Sequence, residues 1–167
     1  EALLVNYIKT ANNVKFIIAP HNINKDQIAN LQNQISKKTV LFSSLNLKDV
    51  VASKLADYDV FVIDTIGILT KIYSYANLVY VGGGFGNPGV HNILEPATFG
   101  VPIIIGPNYS HFQEATALVN MEGCISIQNQ NQLNETLDLL LQNEDERLEK
   151  GHVCSTFVQL NKGATQT

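Results

Sequence analysis

The chain has 167 residues and is 45% apolar, enough to bury a real core and too apolar for disorder. Its formal net charge is -4 with no lysine or arginine run, which argues against a nucleic-acid-binding surface. No apolar run reaches the roughly 18 residues of a membrane span, and no secretory signal pattern is read at the start.

The elements follow in order. Glu1 to Thr10 has helical apolar spacing at Leu3, Leu4 and Ile8. Val14 to Ala19 is a short β-branched run stopped by Pro20, hence a buried strand. Asn24, with Gln27 three residues on, has the spacing of a helix cap, and Ile28, Leu31 and Ile35 give the next helix its apolar face. Thr39 to Phe42 reads as a second strand. A loop with one helical piece around Leu47 to Leu55 leads to a third strand, Asp59 to Ile63. A helix over Ile68 to Ala76 is expected to bury Leu69, Ile72, Tyr73 and Ala76.

Leu78 to Val81 is the fourth strand and Val101 to Ile105 the fifth, with a glycine-rich turn and a helix over Asn92 to Phe99 between them. Then come a helix from His111 to Met121, a short strand Ile125 to Ile127, and a leucine-rich helix Asn134 to Gln142, with Gln128 to Gln132 as its loop and cap. Asp145 to Leu160 reads as a helix pair or one helix kinked at Gly151. Strands alternating with helices predict an α/β fold, a Rossmann-like, mostly parallel sheet covered on both faces. Cys124 and Cys154 lack CxxC or zinc-ligand spacing and read as reduced, buried thiols, as in a cytoplasmic protein. The start inside a helical pattern and the closing NKGATQT read as cuts in a longer protein.

Four stretches carry candidate chemistry. Gly84, Gly86 and Gly89 satisfy G-x-G-x-x-G after a strand. A dinucleotide fingerprint normally sits at the first strand, has no internal proline such as Pro88, and is followed by an acidic ribose ligand about 20 residues on. The glycines are therefore either a tight turn or a cradle whose backbone N–H groups approach a phosphate or sugar acid. No P-loop lysine accompanies them. His91, Asn92 and Glu95 follow: Asn92 and Glu95 lie three apart on one helix face, where a carboxylate can take a ribose diol, or where the pair simply caps a helix. Asp64-Thr65-Ile66-Gly67 ends the third strand, either presenting backbone groups to a base edge or making a turn with Asp64 as cap. Pro20-His21 ends the first strand, where His21 meets a phosphate or base or is only a loop histidine. His111 and His152 have no partner pattern, and no Ser/His/Asp or Cys/His arrangement is present. In a parallel fold all these sites follow strands at one edge, where one ligand can touch them.

The run VGGGFGNPGVHNILEPATFGVPIIIGP (Val81 to Pro107), with DTIGILTKIYSYANLVYVGG before it and HFQEA after it, resembles the carboxyl-terminal domain of the 3-deoxy-D-manno-octulosonic acid (Kdo) transferases. The resemblance runs from about Val14 to Glu122, and its GG…G-x-HN-x-LEPA-x-x-G-x-P-x-x-x-GP pattern is far more restrictive than a glycine fingerprint. It implies the carboxyl-terminal half of a GT-B glycosyltransferase, with residues 1–167 as a single donor-binding domain. The expected donor is CMP-Kdo and the expected acceptor a lipid A precursor, bound by an amino-terminal, membrane-associated domain at the cytoplasmic face of the bacterial inner membrane. That domain would also carry the catalytic base, so no catalytic residue, metal ligand or cofactor is expected in this chain.

By residue, the resemblance assigns CMP to Pro20 and His21, to Ile66, Gly67 and Ile68, and to Asn92, Ile93, Leu94 and Glu95. Gly84, Gly86, Gly89 and His91 form the loop at the Kdo and phosphate. His21 stands where many relatives have arginine and cannot form the bidentate fork. Ile68 stands where many have glutamate, so its contact must come from backbone. Two other classes fit the same residues: a GT-B transferase or 2-epimerase using a UDP-sugar, and a non-catalytic nucleotide-binding module.

Overall fold

The structure is a computed structural model that describes residues 1–45 and 55–162. The helical piece expected around Leu47 to Leu55 falls almost wholly outside the described residues, as does most of NKGATQT. By its internal contacts the chain divides into two compact units, Glu1–Leu69 and Thr70–Thr167.

The first unit contains α1 (Ala2–Thr10), β1 (Phe16–Ile18), α2 (Lys25–Gln34), β2 (Thr39–Leu41) and β3 (Val60–Val62), with a 3-10 turn at Phe42–Ser44. Helix α1 buries Val5, Tyr7 and Ile8 rather than Leu3 and Leu4. The Asn24 side chain caps α2 as expected, accepting from the N–H groups of Asp26 and Gln27 at 2.9 and 3.4 Å. Ile28 and Leu31 are buried on α2, and Ile35 is buried just past its end. The strands run parallel in the order β1-β3-β2, with Ile18 and Leu41 both in register with Val62.

The second unit follows. The short helix α3 (Leu69–Ile72) starts at the boundary and passes into a 3-10 turn, Tyr73–Tyr75. Then come β4 (Val79–Val81), α4 (Leu94–Thr98), β5 (Ile103–Ile105), α5 (Gln113–Asn120), β6 (Cys124–Ser126), α6 (Gln130–Gln142) and α7 (Glu144–Asn161). Its strands are parallel in the order β4-β5-β6. The sheet reading thus holds in its parallel sense, while the hydrogen-bond ladders join the strands three and three.

Central strand β5 is three isoleucines, all fully buried, the signature of a strand covered on both faces. Ile103 and Ile105 join Val81, Ile93, Ala97 and Leu118 in one core, and a fully buried isoleucine or leucine among them contributes about 1.5–3 kcal/mol. Helix α6 begins four residues before the predicted start, because Asn129 accepts from the Gln132 N–H at 3.0 Å and caps it there. Helix α7 is one helix from Glu144 to Asn161 rather than a pair, with Asn143 capping it and three acidic residues in its first turn.

Gly151 serves close approach. A Cβ there would lie 2.1 Å from the Gly100 carbonyl oxygen, so α7 crosses directly over the link between α4 and β5.

Cys124 and Cys154 lie in the same core as free thiols, and the Cys154 Sγ donates to the Gly123 carbonyl at 3.1 Å. Burial pushes the Cys154 thiol up to about 12 from 9.0, and burial together with the neighbouring Cys154 pushes Cys124 higher still. Both are held as unreactive thiols. A thiol reagent at pH 8 should therefore modify them only at the rate of global unfolding. The unfolded chain loses these protons at lower pH than the native one, so their contribution to stability is whole below about pH 9 and falls as pH rises towards 12. Alkylation rates and denaturation midpoints across that window check both statements.

Candidate functional site

The first unit places two candidate stretches at one sheet edge. Strands β1 and β3 are parallel neighbours with Ile18 opposite Val62, and the Ile63 N–H extends the ladder to the Ile18 carbonyl at 2.8 Å. Pro20 and His21 therefore leave β1 at the end where Asp64 to Ile68 leave β3. Pro20 is half-buried and His21 exposed. Gly67 sits at φ 92, with open space where a Cβ would be, and Ile66 is 91% exposed. This turn presents backbone and an apolar side chain, with no charged side chain of its own from Ile66 to Ile68. Asp64 accepts from both the backbone N–H of Ser43, at 2.8 Å, and the Ser43 hydroxyl. Its bonds thus tie the end of β3 to the turn after β2, where the sequence offered a helix cap.

The second unit holds the other candidates. The glycine loop after β4 folds back on itself: the N–H of Gly86 donates to Gly83 at 2.9 Å and that of Gly89 to Gly86 at 3.2 Å. Asn108, after β5, fastens it through its own N–H to the Gly84 carbonyl at 2.8 Å and through its side chain to the Gly86 carbonyl at 3.3 Å. Gly84 passes so close to Gly106 that a Cβ on it would lie 2.8 Å from the Gly106 Cα. The loop is therefore a rigid, packed turn. Two of its three named glycine amides are spent inside it, and the Gly84 N–H makes no hydrogen bond among the described residues.

His91 returns the chain to the loop, donating its N–H to the Gly82 carbonyl at 3.0 Å. Its exposed imidazole lies against Gly83, where a Cβ would come 2.6 Å from the ring Cδ2. The glycines that make room for His91 are thus Gly82 and Gly83, outside the G-x-G-x-x-G match. Asn92 takes the capping role that its position offered, from just outside α4. Its Oδ1 accepts from the Leu94 N–H at 3.0 Å, starting α4 as an Asx turn, and its Nδ2 donates to Glu95 Oε1 at 3.1 Å. Glu95 is thereby held while keeping acceptor capacity for a ligand. Ile93 is 4% exposed, so only its backbone can face a ligand, whereas Leu94 is exposed. Pro96 sits in the first turn of α4, where no helical N–H bond is lost.

Helical spacing marks Tyr73 for burial, and the structure leaves it half-buried: its ring packs against Phe99 at 6.1 Å, and it lies near enough to Glu95 to feel its charge. Burial first, and the Glu95 carboxylate second, raise the phenol above its ordinary value. Helical spacing alone cannot separate such a residue from core.

A separate cavity of about 510 Å³ lies along β6, with Tyr109, Glu122, Ser126 and Lys150 in its wall. No candidate residue lines it. The Lys150 ammonium there is engaged by Glu146 at 3.1 Å and by the Glu122 carbonyl at 3.3 Å. No helix among the described residues is long and apolar enough to cross a membrane.

No protein-family model matches the chain. It is 30% identical over 135 residues to the 3-deoxy-D-manno-octulosonic acid transferase of Aquifex aeolicus (strain VF5), a match covering 80% of this chain and 35% of that protein. It is 40% identical over 96 residues to the transferase of the same name from Chlamydia muridarum (strain MoPn / Nigg), covering 56% of this chain and 22% of that one. The chain is a relative of the Kdo transferases. It spans about a third or less of their length, 35% and 22% in these two. In fold, this Kdo-transferase relative is similar to the C-terminal CMP-Kdo binding domain of WaaA from Acinetobacter baumannii. The TM-score is 0.77 at 22% identity, over 95% of this chain and 80% of that domain. The chain's parallel sheets and their helices thus have the fold of the carboxyl-terminal half of a GT-B glycosyltransferase.

Proposed function

We propose that residues 1–167 form the donor-binding domain of a transferase that moves Kdo from CMP-Kdo to a lipid A precursor. The observation that carries this reading is the Asn92–Glu95 pair: a carboxylate fixed by an amide at 3.1 Å, within the HN-x-LE segment on which the resemblance to Kdo transferases rests. Such a carboxylate accepts from a vicinal diol, the chemistry of a ribose. Asn92, the backbone of Ile93, Leu94 and Glu95 are assigned to CMP, together with Pro20, His21 and the turn Ile66 to Ile68.

The reaction is inverting. A base deprotonates the acceptor hydroxyl, which attacks the anomeric carbon of Kdo and displaces CMP. That base is assigned to a further domain of the whole protein, which also binds the acceptor at the cytoplasmic face of the inner membrane. The residues of this chain hold the leaving group and stabilise the charge that builds on its phosphate. At the loop, Gly84 supplies a free amide and His91 a second donor, while Gly86 and Gly89 keep the turn in shape.

Calorimetric titration with CMP and UMP tests the reading. CMP binding more tightly than UMP supports it. UMP binding more tightly favours a UDP-sugar enzyme, and no binding of either would contradict the assignment of this chain to the donor.

A further inference from the structure

We propose that Tyr73 is a specificity-determining residue, its phenol donating a hydrogen bond to a ribose hydroxyl of the nucleotide that Glu95 holds. The inference rests on the reading of Glu95 given above. Glu95 and Phe99 are four residues apart, so they lie on one side of α4 and its C-terminal cap. The Tyr73 ring packs on Phe99 with centroids 6.1 Å apart and a 41° tilt, which sets it beside that same side. Its phenol hydroxyl makes no hydrogen bond among the described residues, although the Glu95 carboxylate is near enough to act on it.

An O–H donor and a carboxylate acceptor are therefore placed on one side of α4 without bonding each other. The group that satisfies both accepts from one and donates to the other, and a hydroxyl does this. A carboxylate only accepts, so a ribose diol bound to Glu95 alone leaves its oxygen lone pairs without a donor. Tyr73 supplies that donor, since a phenol is protonated near neutral pH.

The test compares the unaltered chain with Tyr73→Phe and Glu95→Ala, each titrated with CMP, 2′-deoxy-CMP and 3′-deoxy-CMP. The phenylalanine keeps the ring packing on Phe99. Losing one hydrogen bond should weaken CMP binding about fivefold to tenfold in Tyr73→Phe. One of the two deoxynucleotides should bind the unaltered chain and Tyr73→Phe alike, which identifies the hydroxyl that Tyr73 contacts. If Tyr73→Phe binds CMP like the unaltered chain while Glu95→Ala does not, the Tyr73 assignment is overturned and the Glu95 reading stands. Equal weakening of all three nucleotides in Tyr73→Phe also overturns it, since a packing defect is blind to the sugar. If Glu95→Ala binds CMP like the unaltered chain, the Glu95 reading fails and the Tyr73 assignment with it.

Discussion

Replacing Glu95 by alanine should weaken CMP binding by about ten- to a hundredfold, because hydrogen bonds to a charged group contribute roughly 1.5–3 kcal/mol. The direction follows from what Glu95 does in the protein. Its carboxylate makes one side-chain bond, to Asn92, and belongs to no ion pair among the described residues. Removing it should therefore leave thermal stability nearly unchanged while binding collapses. Asn92→Ala should weaken binding in the same direction but also loosen α4, since Asn92 starts that helix as well as holding the carboxylate. Calorimetry alongside thermal melts separates the two: a Glu95→Ala protein that binds CMP normally removes Glu95 from the site.

Gly151→Ala should destabilise the fold by about 1–3 kcal/mol or more. In an exposed helix the same change would stabilise by about 1 kcal/mol, so the sign of the effect is diagnostic. Here the new methyl would lie 2.1 Å from the Gly100 carbonyl oxygen and 3.0 Å from its carbon. Both are backbone atoms, so no side chain can swing aside, and α7 must lift from the turn that joins α4 to β5. A denaturant midpoint lower than that of the unaltered chain is expected. A midpoint that rises would show that α7 does not press on Gly100.

Much of this was readable before any coordinates. The β-branched runs named every strand, because three buried isoleucines between turn residues have few other uses. Asn24 named a helix start through its cap, and the spacing of Asn92 and Glu95 named the pair that the fold joins at 3.1 Å. What stayed hidden depends on contacts distant in sequence. Gly151 looked like a break because glycine disfavours helix, and only its encounter with Gly100, 51 positions away, explains it. Gly86 and Gly89 looked like a phosphate cradle, yet their amides close the loop under Asn108, which no local pattern marked. Asp64 looked like a cap until Ser43, 21 residues earlier, claimed both its oxygens. Tyr73 has the period of a buried helical residue, yet the helix ends before it and it lies half-buried against Phe99 in a 3-10 turn.

The central claim is that this chain holds CMP through the segment beginning at His91. A CMP titration followed by backbone amide NMR, with UMP and NADH as controls, tests it most directly. The account predicts CMP-specific shifts centred on Asn92 to Glu95, with further shifts at Tyr73, at Gly84 and at Ile66 to Ile68. Shifts confined to other residues would contradict it, as would a response to NADH centred on Gly84 to Gly89 with none to CMP.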